Sequence, residues 1–339
     1  MSVHGAAAER GRAESHALLI AGGMRSGTSW VSEVLGRTEG VTHLHEPDNP
    51  WEVPYAARAV AGLGALPVVD RGTEPPPDYV RLWDVAFGAA RGFLPNRRRP
   101  LHNSSVPNRL SPSYWAYRAV PYEERTKALD PGSRVVPLRF RLATRFALPA
   151  SAGPSLDRVV KSVYVPLALE WIVDRYGPRV LIVRRHPLDV LASHLKLGWG
   201  GDRVDDRGVL PRIERWGSPP FPVDGDQFDR QVWLIGFTHS AYDELVERHP
   251  EYFVVDHEQL CADPLAEFKT LVDELGLVWG AECEDYLRAS NRPGEREQTS
   301  RVASEQSGKW RTALSPAQVE RAVELLAQFP VARRYAELA

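Results

Sequence analysis

The chain has 339 residues, 43% of them hydrophobic, enough for one large buried core or two modest ones. Its formal net charge of -2 and pI near 6.6 give no bulk attraction to nucleic acid or to an acidic membrane. An anion site therefore has to be a local pocket, and nucleic acid is excluded as the main partner.

Neither Cys261 nor Cys283 belongs to a Cys-x-x-Cys pair, so reduced thiols are expected rather than a disulfide or a cysteine zinc site. No run reaches the ~18 apolar residues of a membrane span, and the first fifteen residues lack an apolar signal core. The expectation is a flexible N-terminus over residues 1–15 followed by a single cytoplasmic α/β domain over 16–339, with no transmembrane segment. The 37 arginines against five lysines are the bias of a GC-rich bacterial genome, and nothing in the chain sets an oligomeric state.

In chain order, His16 to Ala21 is an apolar run suited to a buried parallel strand. A glycine-rich loop follows from Gly22, and Trp30, Val31, Val34 and Leu35 then recur at helical spacing. Val41 to His45 reads as a second strand, running into Glu46. Residues 48–154 are rich in proline and arginine with scattered aromatics, and show no strand-then-helix grammar. That grammar resumes with the strand Asp157 to Lys161 and the helix Pro166 to Tyr176, then the strand Arg179 to Val183 and the helix Pro187 to Leu197. Gly198 to Asp226 is loop-like, and Tyr252 to Val255 with Pro264 to Leu275 forms a last pair. These elements predict an α/β fold, a P-loop-type parallel sheet of about five strands flanked by helices. Irregular or helical insertions over about 50–154 and 198–226 would form a substrate lid.

The loop carries glycines at the Walker A spacing, Gly22 and Gly27, but Thr28 stands where a nucleotidase keeps its lysine. Its one cation, Arg25, precedes the second glycine. Strand, glycine loop and helix start still present backbone amides and the positive end of a helix dipole to an anion.

Four separated stretches, in order, resemble the sulfotransferases that use 3′-phosphoadenosine 5′-phosphosulfate. Arg25-Ser26-Gly27-Thr28-Ser29-Trp30 is similar to the family's 5′-phosphosulfate loop. Arg185, eight residues before Ser193, is similar to its 3′-phosphate motif. Val255 to Leu260 with Ala262-Asp263-Pro264 resembles its late strand and helix start, and Gly308-Lys309-Trp310-Arg311 its C-terminal segment over the nucleotide. The resemblance implies sulfuryl transfer from that cosubstrate, without a metal, to a hydroxyl of a small molecule, glycan, glycoside or lipid. It implies nucleotide contacts from Arg25, Ser26, Gly27, Thr28, Ser29, Trp30, Arg185, Ser193, Gly308, Lys309 and Trp310, with Trp30 divided between adenine stacking and the core.

Lys161 stands where phenol- and steroid-acting relatives begin a Lys-Thr-His run, but Val163 replaces the histidine. Lys161 is therefore expected at the sulfate oxygens and the usual base is missing. Glu46, just past the second strand, matches the glutamate base of carbohydrate-acting relatives, and His45 is the second candidate. Strand alternation predicts that only one of His45 and Glu46 faces the pocket. Two other classes compete. A nucleotide-dependent kinase would need Asp256 as its magnesium aspartate, and a metal-dependent hydrolase would build on His43 and His45 with His186, His194, His239 or His257.

Overall fold

A computed structural model describes residues 17–90, 112–130, 136–151, 157–198, 218–222, 224–293 and 302–335. The N-terminal residues 1–15, and 199–217 within the second insertion, lie outside them.

Five strands, β1 (Ala17–Ala21), β2 (Thr42–His45), β3 (Arg158–Lys161), β4 (Arg179–Arg184) and β5 (Phe253–Asp256), form one sheet in the order β2-β3-β1-β4-β5. Every pairing is parallel, with Leu19 opposite Val160 and Val180, and Leu44 opposite Val160. All five lie within a residue or two of the predicted runs, because near-continuous apolar stretches are what a sheet covered on both faces requires.

Alternation along β1 splits the core. Leu18 and Ile20 join Val159, Leu181 and Val183 on one face, covered by α1 (Thr28–Leu35) and later by α11 (Pro264–Glu274) and α12 (Ala281–Ser290). Leu19 and Ala21 join Val160 and Ile182 on the other. That face lies under α2 (Pro54–Ala59), α3 (Pro77–Ala86), α7 (Leu169–Tyr176) and α9 (Gln227–Arg248). Burial of these fully covered side chains, worth about 1.5–3 kcal/mol each, is what holds the layers together.

The described part of the segment after β2 holds five short helices joined by turns: α2 and α3 are followed by α4 (Pro112–Arg118), α5 (Tyr122–Leu129) and α6 (Leu138–Thr144). Prolines stand at or next to the starts of these helices, where a missing N–H costs nothing, so a proline-rich stretch that reads as irregular is a series of short helices. The remaining helices are α8 (Pro187–Lys196), α10 (His257–Ala262), α13 (Trp310–Ala313) and α14 (Pro316–Leu326). The last is closed by a capping box between Ser315 and Gln318.

In this strand order the chain leaves central β1 toward β2 and β3 on one side and β4 and β5 on the other. A crevice therefore opens at the carboxyl ends of the central strands, where open α/β sheets place ligands. The loop after β1, Glu46 after β2, Lys161 at the end of β3 and Arg185 after β4 all emerge there.

Candidate active site

The loop from Gly22 to Gly27 is held by close approach. A side chain at Gly22 would meet the Val183 carbonyl oxygen at 2.5 Å, and one at Gly27, where φ is 92°, would meet His257 Cδ2 at 2.3 Å. Gly27 leads into α1 as its N-terminal flank, so the first amides of that helix open toward the crevice. Arg25 adopts φ 67°, the left-handed region in which the Cβ of any L residue crowds its own backbone carbonyl. Three contacts hold it. Its carbonyl accepts from Arg185 Nη1 at 3.0 Å, its Nε donates to Ser193 Oγ at 3.0 Å, and the preceding Met24 carbonyl meets His194 Nε2 at 3.3 Å. His194 Nδ1 is in turn 2.6 Å from Gln231 Nε2, which carries the support from α8 to α9.

Arg185 is buried, and burial pulls its guanidinium pKa down from the ordinary arginine value, with Asp189 and Glu258 opposing. A second donation from Nη2 reaches the Gln306 carbonyl at 3.3 Å, and its buried Nε has no partner among the described residues. An unpartnered guanidinium N–H in such a place is a standing demand for an anion. Asp189 accepts from the backbone N–H groups of Gly308 and Trp310, both at 2.9 Å, so one carboxylate ties the C-terminal segment to α8.

On the other side, Lys161 Nζ and Glu46 Oε1 form a tight ion pair, with Lys161 almost wholly buried. Asn49 Nδ2 donates to Glu46 Oε2 at 2.7 Å, and His45 Nε2 lies 3.8 Å from Oε1. Burial opposes ionisation of Glu46, yet the Lys161 ammonium, His45 and the two hydrogen bonds prevail and hold its pKa at about 2. Burial, then the Lys161 charge, holds His45 at about 4, so its imidazole is neutral near pH 7. Burial raises Asp48 to about 7, although its Oδ2 accepts from Ser162 Oγ at 2.6 Å.

Arg25, Arg185, Asp189, Lys161, Glu46, Asn49 and His45 share a cavity of about 990 Å³, which Asp48 and Ser162 do not line. Of the residues singled out from sequence, Arg25, Gly27, Thr28, Ser29, Trp30, His45, Glu46, Lys161, Arg185, Ser193 and Lys309 line it. Ser26, Gly308 and Trp310 do not. Ser26 is buried behind the loop, and the Trp310 ring stacks on His186 with centroids 5.8 Å apart. Trp30 lines the cavity, and its ring meets Phe268 edge-on at 4.9 Å. Strand alternation fails between His45 and Glu46, which both face the cavity, because Glu46 lies past the strand end at φ 45°.

His43, by contrast, is half-buried against Gly36 and is not a cavity residue. Asp256 is exposed at the end of edge strand β5 and does not reach the cavity either. Among the described residues no cluster of three or more His, Cys, Asp or Glu side chains has metal-holding geometry. Cys261 lines the cavity, but burial pushes its thiol up to about 12, which leaves it inert.

Sequence reading missed the far half of the cavity. Trp51 and Tyr122 stack there at 5.6 Å with planes 20° apart, beside Tyr114, Arg118 and Arg125. The tyrosine-to-arginine spacings of α4 and α5 set both residue types on one side of short helices, a signal visible only once the helices are known.

No family model and no curated protein matches the chain. By structure it is similar to sulfotransferase STF9 from Mycobacterium avium, at 14% identity over 95% of this chain and 77% of that one, with a TM-score of 0.42. It is also similar to sulfotransferase STF1 from Mycobacterium tuberculosis H37Rv, at 15% identity over 86% and 76% of the two chains, with a TM-score of 0.32. Among the described residues no helix is long and apolar enough to cross a membrane.

Proposed function

We propose that the protein is a sulfotransferase that takes 3′-phosphoadenosine 5′-phosphosulfate as donor and esterifies an acceptor hydroxyl, leaving adenosine 3′,5′-bisphosphate. The observation that carries the reading is the convergence, in one cavity, of a lysine-free phosphate loop, the buried Arg185 with an unpartnered Nε, and the Lys161–Glu46 pair. The residues fit the nucleotide chemically: α1 amides with the Thr28 and Ser29 hydroxyls for the 5′-phosphate, and Arg185 with Ser193 for the 3′-phosphate. When bound, the cosubstrate supplies an activated sulfuryl group, which carries less charge than a phosphoryl group and needs fewer cations to meet it.

Arg25 and Lys161 supply positive charge where negative charge builds on departure. Glu46 is the general base. At a pKa of about 2 it is a poor proton acceptor while Lys161 holds Oε1. Drawing the ammonium toward an anion leaves a buried carboxylate whose basicity rises, so Lys161 couples donor binding to base strength. His45, neutral and with a buried Nδ1 that has no partner among the described residues, is the second candidate for the proton. The aromatic and arginine lining beyond Glu46 supports a ring-bearing small-molecule or glycan acceptor.

Calorimetry with the bisphosphate against ATP and magnesium tests the cosubstrate. Tighter ATP binding would move the protein to the kinase class. The Glu46→Gln variant is expected to bind the bisphosphate nearly as the parent does and to turn over ~100-fold more slowly. An unimpaired variant shifts the base to His45.

A further inference from the structure

We propose that the outward face of α6, with the adjoining α4, is a docking surface for an anionic lipid bilayer. The inward face of α6 is already used: Phe140 and Ala143 pack with Tyr117, Val120 and Ala57 in a closed cluster. On the opposite side Leu138 and Leu142 stand one turn apart, 63% and 58% exposed, and Phe146 continues the stripe just past the helix end at 77%. Leu148 is 55% exposed, and α4, which packs on α6, adds Trp115 at 63%. Single exposed apolar side chains need no explanation. Five large ones on two packed helices and the turn that follows α6 mark an interaction site.

The charges around the stripe select the occupant. Arg139 flanks it on one side, 3.9 Å from Glu124, and Arg141 and Arg145 on the other. Residues 136–148 carry three arginines, Arg139, Arg141 and Arg145, all exposed, and no acidic residue, against a net charge of -2 for the whole chain. Leucine, phenylalanine and tryptophan bordered by arginines is the pattern of a helix lying in a headgroup layer, its guanidinium groups reaching phosphates while the apolar edge enters the acyl boundary. A protein groove deep enough for the stripe would have to strip water from the same arginines. Helices α4 and α5 also supply Tyr114, Arg118, Tyr122 and Arg125 to the cavity, so the docking surface shares α4 with the cavity wall.

Flotation with vesicles of phosphatidylcholine alone, or mixed with phosphatidylglycerol, tests this on the full chain. The protein is expected to float with the mixed vesicles and not with the neutral ones. Leu142→Asp combined with Phe146→Asp should lower that partitioning at least ~10-fold with an unchanged melting curve, both side chains being exposed. Arg141→Gln combined with Arg145→Gln should lower it roughly 25-fold, at about fivefold for each arginine near an anionic surface. Absence of the parent protein from mixed vesicles would overturn the proposal, as would variants that float as well as it does. So would sedimentation showing a parent dimer that the aspartate pair splits while vesicle binding stays the same, because the face would then join two copies of the chain.

Discussion

Replacing Lys161 by methionine removes the cation that keeps Glu46 ionised in a buried place. Lys161 is 1% exposed at its side chain and Glu46 15%, so neither charge is well hydrated. The fall of Glu46 from an ordinary 4.5 to about 2 corresponds to about 3 kcal/mol of preference for the ionised form in the folded state. Because the folded pKa lies below the unfolded one, this contribution is fully present above pH 4.5 and disappears as pH falls toward 2. In Lys161→Met only His45 and the Asn49 hydrogen bond still oppose burial, and the Glu46 pKa rises above its unfolded value. The variant should then lose stability as pH rises from about 5 to 7, where the parent is flat with respect to this pair. At pH 7 a loss of about 3 kcal/mol is expected, the low end for breaking a buried pair, since Glu46 borders the cavity and water can reach it. The double variant Lys161→Met with Glu46→Gln should recover most of that loss. Urea unfolding of the four proteins at pH 5 and pH 7 gives the coupling directly. A coupling under ~0.5 kcal/mol, or a parental pH slope in Lys161→Met, would refute the account.

Three further outcomes follow from the same site. Arg185→Ala should weaken the bisphosphate ~10- to 100-fold in calorimetry, by losing a charged hydrogen-bond donor, while adenosine 5′-phosphate loses less; equal losses would detach Arg185 from the 3′-phosphate. Gly27→Ala meets both the 92° backbone angle and His257 Cδ2 at 2.3 Å, so thermal unfolding should show a loss of ~2 kcal/mol or more, and bisphosphate binding should fall with it. Burial raises Asp48 from 3.8 to about 7, so its contribution is favourable below pH 3.8 and is lost as pH rises to 7. Asp48→Asn should accordingly melt higher than the parent at pH 8 and close to it at pH 4, and an unchanged difference between those pH values would argue against a protonated Asp48.

The sheet was legible because β1, β3 and β4 are buried on both faces, and apolar runs such as Leu18-Leu19-Ile20 or Val180-Leu181-Ile182-Val183 have no other economical use. The loop was legible because Gly27 sits where a left-handed backbone is needed, and Arg185 because it follows a strand directly. What could not be read depends on a local backbone turn and on contacts across long sequence distance. Asn49 reaches Glu46 only because the chain turns at Glu46, and Asp189 reads as a surface partner for Arg185 until its oxygens are found on the Gly308 and Trp310 amides, 119 and 121 residues away. The long α9 is buried on several sides, so its polar members are not confined to one stripe. Gln231 and His239 are both buried, and the simple apolar period that marks an amphipathic helix is blurred.

The substitution of Thr28 for a Walker lysine also changes how the site is held together. A lysine on the loop carries its charge with its own helix, and the anion is met by one element. Here the positive charge comes from Arg25 on the loop, Lys161 on β3, Arg185 after β4 and Lys309 on the C-terminal segment, all around one cavity. Arg25 is the joint among them, bonded through its carbonyl to Arg185 and through its side chain to Ser193. Its left-handed backbone, which costs roughly 1–2 kcal/mol, is stable only while those partners and the His194 contact to Met24 persist. Under the proposed function, an anion seated between these elements would bring their like charges together at no net repulsion, whereas the free site has to separate them. Donor binding should therefore stiffen α8, the loop and the C-terminal segment as one unit. Hydrogen exchange at Ser193, Gly308 and Trp310 should slow together on adding the bisphosphate, and slowing at the loop alone would show that the four cations act independently.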